Sequence, residues 1–168
     1  MSITLELVPF DKIKEDITVE VKICSDGALT LFEWSLYGED AKEVILPKKE
    51  DVSSRKDNLW QHTCFEVFQK HENGYDEVNV TTSHHWNTYA FESYRSKPLK
   101  KSKLEVQNIQ TNTTETTISY ELDLKDESLL GLCCVLETKK DTYYFALKHS
   151  IEKPDFHDPI SFCFVLKK

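Results

Sequence analysis

The side chains richest in chemistry lie in one run, Leu59-Trp60-Gln61-His62-Thr63-Cys64-Phe65-Glu66-Val67-Phe68. Its aromatic and β-branched content reads as a strand, and along a strand every second residue shares a face. Trp60, His62, Cys64 and Glu66 would then stand in a row. An imidazole and a carboxylate beside an indole can hold a polar ligand against an aromatic plane. The same groups can also satisfy one another as a buried hydrogen-bonding pair.

Asn73-Gly74 is a hairpin signal leading into a second strand, Tyr75 to Thr82. Antiparallel pairing would send Phe65, Val67, Val78 and Val80 to the core. It would leave His62, Glu66, Glu77, Asn79 and Thr81 together on the opposite face. Trp60 and Trp86, at the strand ends, are expected to wall that face, since indoles often mark binding surfaces. Arg95 follows the strand Asn87 to Tyr94 and is placed to reach over it; a surface ion pair is the alternative. The loop Lys153-Pro154-Asp155-Phe156-His157-Asp158-Pro159 is stiffened by two prolines and can present Asp155 and His157 with little ordering cost. The competing reading of the whole face is plain exposure to solvent.

The same residues suggest other chemistries. His62, Cys64 and Glu66 have Cα atoms successively ~6.5–7 Å apart along a strand, a spacing not diagnostic of zinc even with His84, His85, His149 and His157 added. Glu66 and Glu77 could form a hydrolytic carboxylate pair, but nothing assigns one as acid and the other as base. With no complete catalytic motif, the expectation is a protein that is not an enzyme. Only four glycines occur, and none forms a phosphate-binding loop.

The elements that must position these groups read as strands throughout. Ile3 to Val8, Ile17 to Ile23, Leu29 to Tyr37, Lys103 to Gln110, Glu115 to Leu122, Leu132 to Glu137, Thr142 to Lys148 and Ser161 to Leu166 join those already named. Ser25-Asp26-Gly27 is a hairpin turn, Val44-Ile45-Leu46 a candidate short strand, and Asp123 to Leu129 a candidate helical turn. About ten strands without a sustained helical stripe predict an all-β, single-domain antiparallel β-sandwich over residues 1–168, jelly-roll or immunoglobulin-like in appearance.

At 168 residues the chain can bury a core without disulfides. A net charge of −8 argues against a nucleic-acid partner, and Lys97, Lys100, Lys101 and Lys103 form the sole basic run. No membrane-spanning run or leader is apparent. The five cysteines, Cys24, Cys64, Cys133, Cys134 and Cys163, contain no C-x-x-C and read as free buried thiols. Asn79 and Asn112 head sequons that matter only on secretion. The expected location is cytoplasmic.

Three blocks carry a resemblance. Trp60-x-His62-Thr63-Cys64-Phe65-Glu66-x-Phe68 resembles the strand motif of the DOMON-like domains related to the family-9 carbohydrate-binding modules. Tyr75-x-Glu77-x-Asn79-x-x-x-Ser83-x-x-Trp86-x-x-Tyr89-x-Phe91-x-x-Tyr94-Arg95 continues it. His149 and Pro154-Asp155-Phe156-His157-x-Pro159-x-Ser161-Phe162 close it. The resemblance implies a jelly-roll sandwich in which a sugar lies against indole faces and is hydrogen-bonded by charged and amide side chains. Other DOMON relatives hold haem b with Met and His or Lys; here the only methionine is Met1, leaving a bis-His site of His62 and His149 as the haem alternative. The reading is a non-catalytic module binding a carbohydrate or other small polar ligand, without a predicted cofactor. Its site comprises Trp60, His62, Glu66, Glu77, Asn79, Trp86, Arg95, His149, Asp155 and His157. A haem or redox module, or a protein-interaction domain with no small ligand, stands as the alternative.

Overall fold

Strict alternation through residues 17–25 gives a strand with Val19, Val21 and Ile23 fully buried and polar neighbours facing out. The same logic operates along the whole chain. In the computed structural model the strands are β1 (Ser2–Pro9), β2 (Thr18–Ser25), β3 (Thr30–Tyr37), β4 (Ser54–Arg55), β5 (Cys64–His71), β6 (Gly74–Val80) and β7 (His85–Phe91). They continue with β8 (Lys100–Lys101), β9 (Val106–Asn112), β10 (Thr117–Leu122), β11 (Glu127–Glu137), β12 (Thr142–Ala146) and β13 (Phe164–Lys167). The structure describes every residue except Asp26, Pro98, Leu99, Thr113, Asp126 and Lys168, and only the backbone of Lys100 and Lys101. Among the described residues no helix is long and apolar enough to cross a membrane.

The strands form one curled sheet in the order β4-β7-β6-β5-β11-β12-β1-β2-β3-β10-β9, with β13 beside β11 and β8 beside β7. Strand β1 turns the corner: Ser2 to Leu7 pair with β2, whereas Val8 and Pro9 pair with β12. The sheet thereby folds over itself as an all-β sandwich, antiparallel apart from the short β4–β7 pair. Between the layers lies a core that joins Phe32, Trp34 and Tyr120 of one layer to Phe65, Val78, Leu132 and Phe145 of the other.

Several local expectations are corrected. The run 59–68 is not one strand. Asn58 adopts a left-handed backbone (φ 61°), Leu59–Gln61 form a 3₁₀ turn closed by His62 N–H donating to Leu59 O, and the strand starts only at Cys64. Val44 makes an isolated bridge to Thr138. Asp123 to Lys125 take no helical turn and Glu127 already begins β11; Asp126 lies outside the described residues, as does Asp26 of the β2–β3 turn. Cys64, Cys133 and Cys134 are free and buried, but Cys24 is only half-buried and Cys163 is exposed.

The β5–β6 hairpin pairs Phe65 opposite Val80, Glu66 opposite Asn79 and Phe68 opposite Glu77, a register that puts Phe65, Val67, Val78 and Val80 on the expected core face. Gly74 closes its turn with φ +132°, where a Cβ would lie 1.8 Å from Phe91 O. The outer face of this hairpin is not open to solvent. The segment 149–163 folds back across it, and Phe156 and Phe162 pack with Phe68, Tyr75, Phe91, Cys133 and Val135 in a second apolar cluster. Gly131 permits the close approach, since a Cβ there would meet Ser161 O at 3.2 Å and Phe68 Cβ at 3.4 Å.

Candidate functional site

Where the covering segment stops, the outer face opens into a cleft of about 680 Å³. Glu66 of β5 and Glu77 of β6 form its floor, Tyr89 and Phe91 of β7 one side, and Val135 and Tyr144 of β11 and β12 the other. Phe156 and His157 close one end; Asp57, Asn58 and Trp60 close the opposite one. Trp60 is 51% exposed, so its indole stands at the rim. Arg95, in the turn after β7, reaches the cleft as well.

The floor is electrostatically unusual. Glu66 is 3% exposed, and its Oε1 has no hydrogen-bond partner. Its Oε2 lies 4.0 Å from the Cys133 thiol, and the Cys64 thiol is a second weak donor to the same carboxyl. Burial, and then the neighbouring Glu77, push the Glu66 carboxyl well above the usual range. Glu77 accepts from Asn79 Nδ2 at 2.8 Å. Burial raises its carboxyl to about 7, although the Asn79 hydrogen bond and Arg95 oppose the rise. Asn79 is fully buried, with its own Oδ1 unpartnered.

Around the floor, the loops are tied to the sheet. Asp155 anchors the cover: Arg95 Nε and an Nη donate to its carboxylate at 2.9–3.2 Å, and Tyr94 donates at 2.5 Å. Burial pushes Asp155 up, but the Arg95 and Tyr94 hydrogen bonds outweigh it and leave this carboxyl low. Arg95 itself has φ +48°, a costly backbone for a long side chain, held by its N–H donating to Tyr75 Oη at 3.2 Å. Tyr75 Oη also shares a hydrogen bond with His157 Nδ1, 2.8 Å away. The other ring nitrogen, His157 Nε2, faces Glu77 Oε2 at 3.7 Å. Burial, then Arg95, hold His157 down to about 4, so it is neutral. At the other end Asp57 Oδ1 accepts from Asn87 Nδ2 (2.7 Å) and Tyr89 Oη (3.0 Å), tying the Trp60 loop to β7.

Of the residues singled out from the sequence, Trp60, Glu66, Glu77, Arg95 and His157 line the cleft. Asn79 lies beneath it and Asp155 behind it, each bonded to a lining residue. The other three lie elsewhere. Trp86 pairs opposite Val80, so it points to the inner face, where it packs on the main core under the Arg55 guanidinium, 3.9 Å from its ring. His62, displaced by the 3₁₀ turn, is exposed and bonds Glu137 Oε2 through Nδ1 at 2.9 Å. His149 packs edge-on against Phe10 and gives Nε2–H to Val8 O at 2.8 Å. Sequence reading missed Asp57, Tyr144 and Phe156, which reach the cleft only through long-range packing. Tyr89 and Phe91 were legible, being co-facial with Glu77 once β7 is placed in register.

The haem alternative does not fit these residues. His62 and His149 are each hydrogen-bonded on a different element and neither lines the cleft, and the Met1 ammonium donates to Ser25 O. Among the described residues no three His, Cys, Asp or Glu side chains are grouped to hold a metal ion.

No family model matches the sequence, and no curated protein matches it. Among solved structures, the chain is similar to a candidate carbohydrate-binding protein from Bacteroides uniformis ATCC 8492, with TM-score 0.62 and 12% identity over 99% of this chain and 85% of that one. At that identity the likeness is one of fold.

Proposed function

We propose that the cleft over β5, β6 and β7 binds a small polar ligand without transforming it, and that this ligand is a carbohydrate or similar polyol. The observation that carries the reading is a buried carboxyl with an unpartnered oxygen, Glu66 Oε1, on the floor of a cleft with a half-exposed indole at its rim. A buried polar atom without a partner costs about 1–3 kcal/mol, a cost that a bound hydroxyl would relieve. Sugars offer such hydroxyls together with C–H faces that lie on aromatic rings. The candidate carbohydrate-binding protein of similar fold supports the same class of ligand, as does the DOMON-like resemblance of the three sequence blocks. We also infer a reducing compartment, on the three buried free thiols, and no nucleic-acid partner, on the acidic net charge.

Tryptophan fluorescence and calorimetric titration with monosaccharides test the proposal. Trp60 is the rim indole, so sugar binding is expected to change its emission, and Trp60→Phe to remove that change. Silence across a monosaccharide panel and a glycan array would discard the carbohydrate reading. Turnover of nitrophenyl glycosides would discard the non-catalytic one.

A further inference from the structure

The floor of the cleft has an excess of acceptors. Glu66 Oε1 and Asn79 Oδ1 are buried with no partner. Glu66 has only weak thiol donors near it, Cys133 at 4.0 Å and Cys64. Glu77 Oε2 stands 3.7 Å from His157 Nε2, beyond a hydrogen bond. Above these carboxyls are the rings of Trp60, Tyr89, Phe91, Tyr144 and Phe156, whose π-faces attract a cation. Among the described residues the one cation lining the cleft, Arg95, is already committed to Asp155. A group that offers several N–H donors and a positive charge would complement this surface better than a hydroxyl does, since an ammonium brings three donors and no acceptor.

We propose that the ligand carries an ammonium group and seats it on Glu66 and Glu77, as an amino sugar would; this rests on the cleft being the ligand site. Seating the cation displaces the proton that the buried carboxyl pair otherwise retains, so binding exchanges one ligand charge for one proton. The groups facing the pair are, among strong charges, Arg95 and Asp155 behind it, Asp57 across the cleft, and Lys153 4.0 Å from Asp155. The weak acids and bases facing it are Cys64 on its own strand, Tyr75 and Tyr89 on β6 and β7, Cys133 on β11, and His157 in the cover. None of these supplies the missing positive charge: Arg95 and Lys153 are both turned to Asp155, and His157 is neutral.

Calorimetry on the full chain with glucose, N-acetylglucosamine, glucosamine and cyclohexylammonium separates the possibilities. A primary alkylammonium keeps its charge to about pH 10. Its affinity is therefore expected to rise at least about tenfold from pH 5.5 to 7.5 as the floor gives up its proton. At pH 6.5 the heat of binding should depend on the buffer's ionisation enthalpy in the sense of proton release, a reading made on the wild-type protein. Glucosamine should bind at least about tenfold more tightly than N-acetylglucosamine, which has the same ring without the charge. Glu77→Gln, verified as folded by circular dichroism, should remove the pH rise, and Glu66→Gln should lower the affinity for cyclohexylammonium at least about tenfold at pH 7.5.

Equal affinity for glucose and glucosamine, or no proton release, overturns the ammonium inference and leaves the sugar site standing. Binding of cyclohexylammonium with no binding of any sugar supports the ammonium seat and discards the carbohydrate reading. No binding by any of the probes overturns both.

Discussion

The two faces of the β5–β6 hairpin share one backbone and have opposite chemistry. On the inner face Phe65, Val67, Val78 and Val80 are at most 1% exposed and pack into the main core with side chains of the other layer. On the outer face Glu66, Glu77 and Asn79 are buried to within a few per cent, yet carry carboxyl and amide groups whose hydrogen-bonding capacity is not filled. Burial is nearly the same, so burial is not what separates core from site. The difference is satisfaction: the inner face is complete in the free protein, whereas the outer face is left with acceptors that need a donor. Leaving buried acceptors without donors costs stability, a cost that a bound donor would offset.

The largest effect expected from this contrast is on the inner face. Phe65→Ala should cost about 3–5 kcal/mol in urea denaturation through the cavity it leaves, while the fraction that stays folded binds ligand normally. Next comes a pH effect confined to the outer face. Between pH 4.5 and 7 the folded protein keeps a proton on Glu77 that the unfolded chain gives up, so this group makes stability fall as pH rises. Glu66, raised by burial and Glu77, adds to the fall. His157 tilts the other way, since its folded form refuses a proton that the unfolded form takes between about pH 6.5 and 4. Measured against wild type, the double variant Glu66→Gln/Glu77→Gln should therefore gain on the order of 3 kcal/mol from pH 4.5 to 7. A flat difference would mean that the pair is not held protonated.

Smaller, and opposite in sign to the core variant, is Glu66→Met. An apolar side chain of similar length removes an unsatisfied buried carboxyl, so it should stabilise by about 1–3 kcal/mol at pH 7.5 and abolish binding. If it destabilises like Phe65→Ala, the outer face is simply a second core. Smallest is Trp60→Ala, on an exposed 3₁₀ turn: a stability change within about 0.5 kcal/mol, but loss of the ligand-induced fluorescence change.

Much of this contrast could be read from residue types. Alternation through residues 65–68 and 77–80, with Asn73-Gly74 between them, determines that Glu66, Glu77 and Asn79 share a face. Even adjacent Cys133 and Cys134 divide as a strand requires, one into each apolar cluster. The failures have a common cause. His62 falls outside the row, and Trp60 reaches the cleft from a 3₁₀ turn and not from the strand, because Asn58 turns the backbone left-handed and the segment before Cys64 is strand-like in composition only. Trp86 was assigned to the wrong face because Thr81–Ser83 turn the chain before His85, and the register of β7 follows from its pairing with β6 rather than from its own pattern.

The sequence by itself thus determined an all-β sandwich, the core face of the hairpin, and the polar row Glu66, Glu77 and Asn79, because a period of two dictates which side chains lie together. Only the tertiary structure decided that this row is roofed and not bathed in water. Segment 149–163 crosses it because Gly131 leaves room and Arg95 and Tyr94 bind Asp155 from about 60 residues away. Those contacts between distant segments bury the carboxyls, raise their proton affinity, and convert a polar sheet face into a cleft.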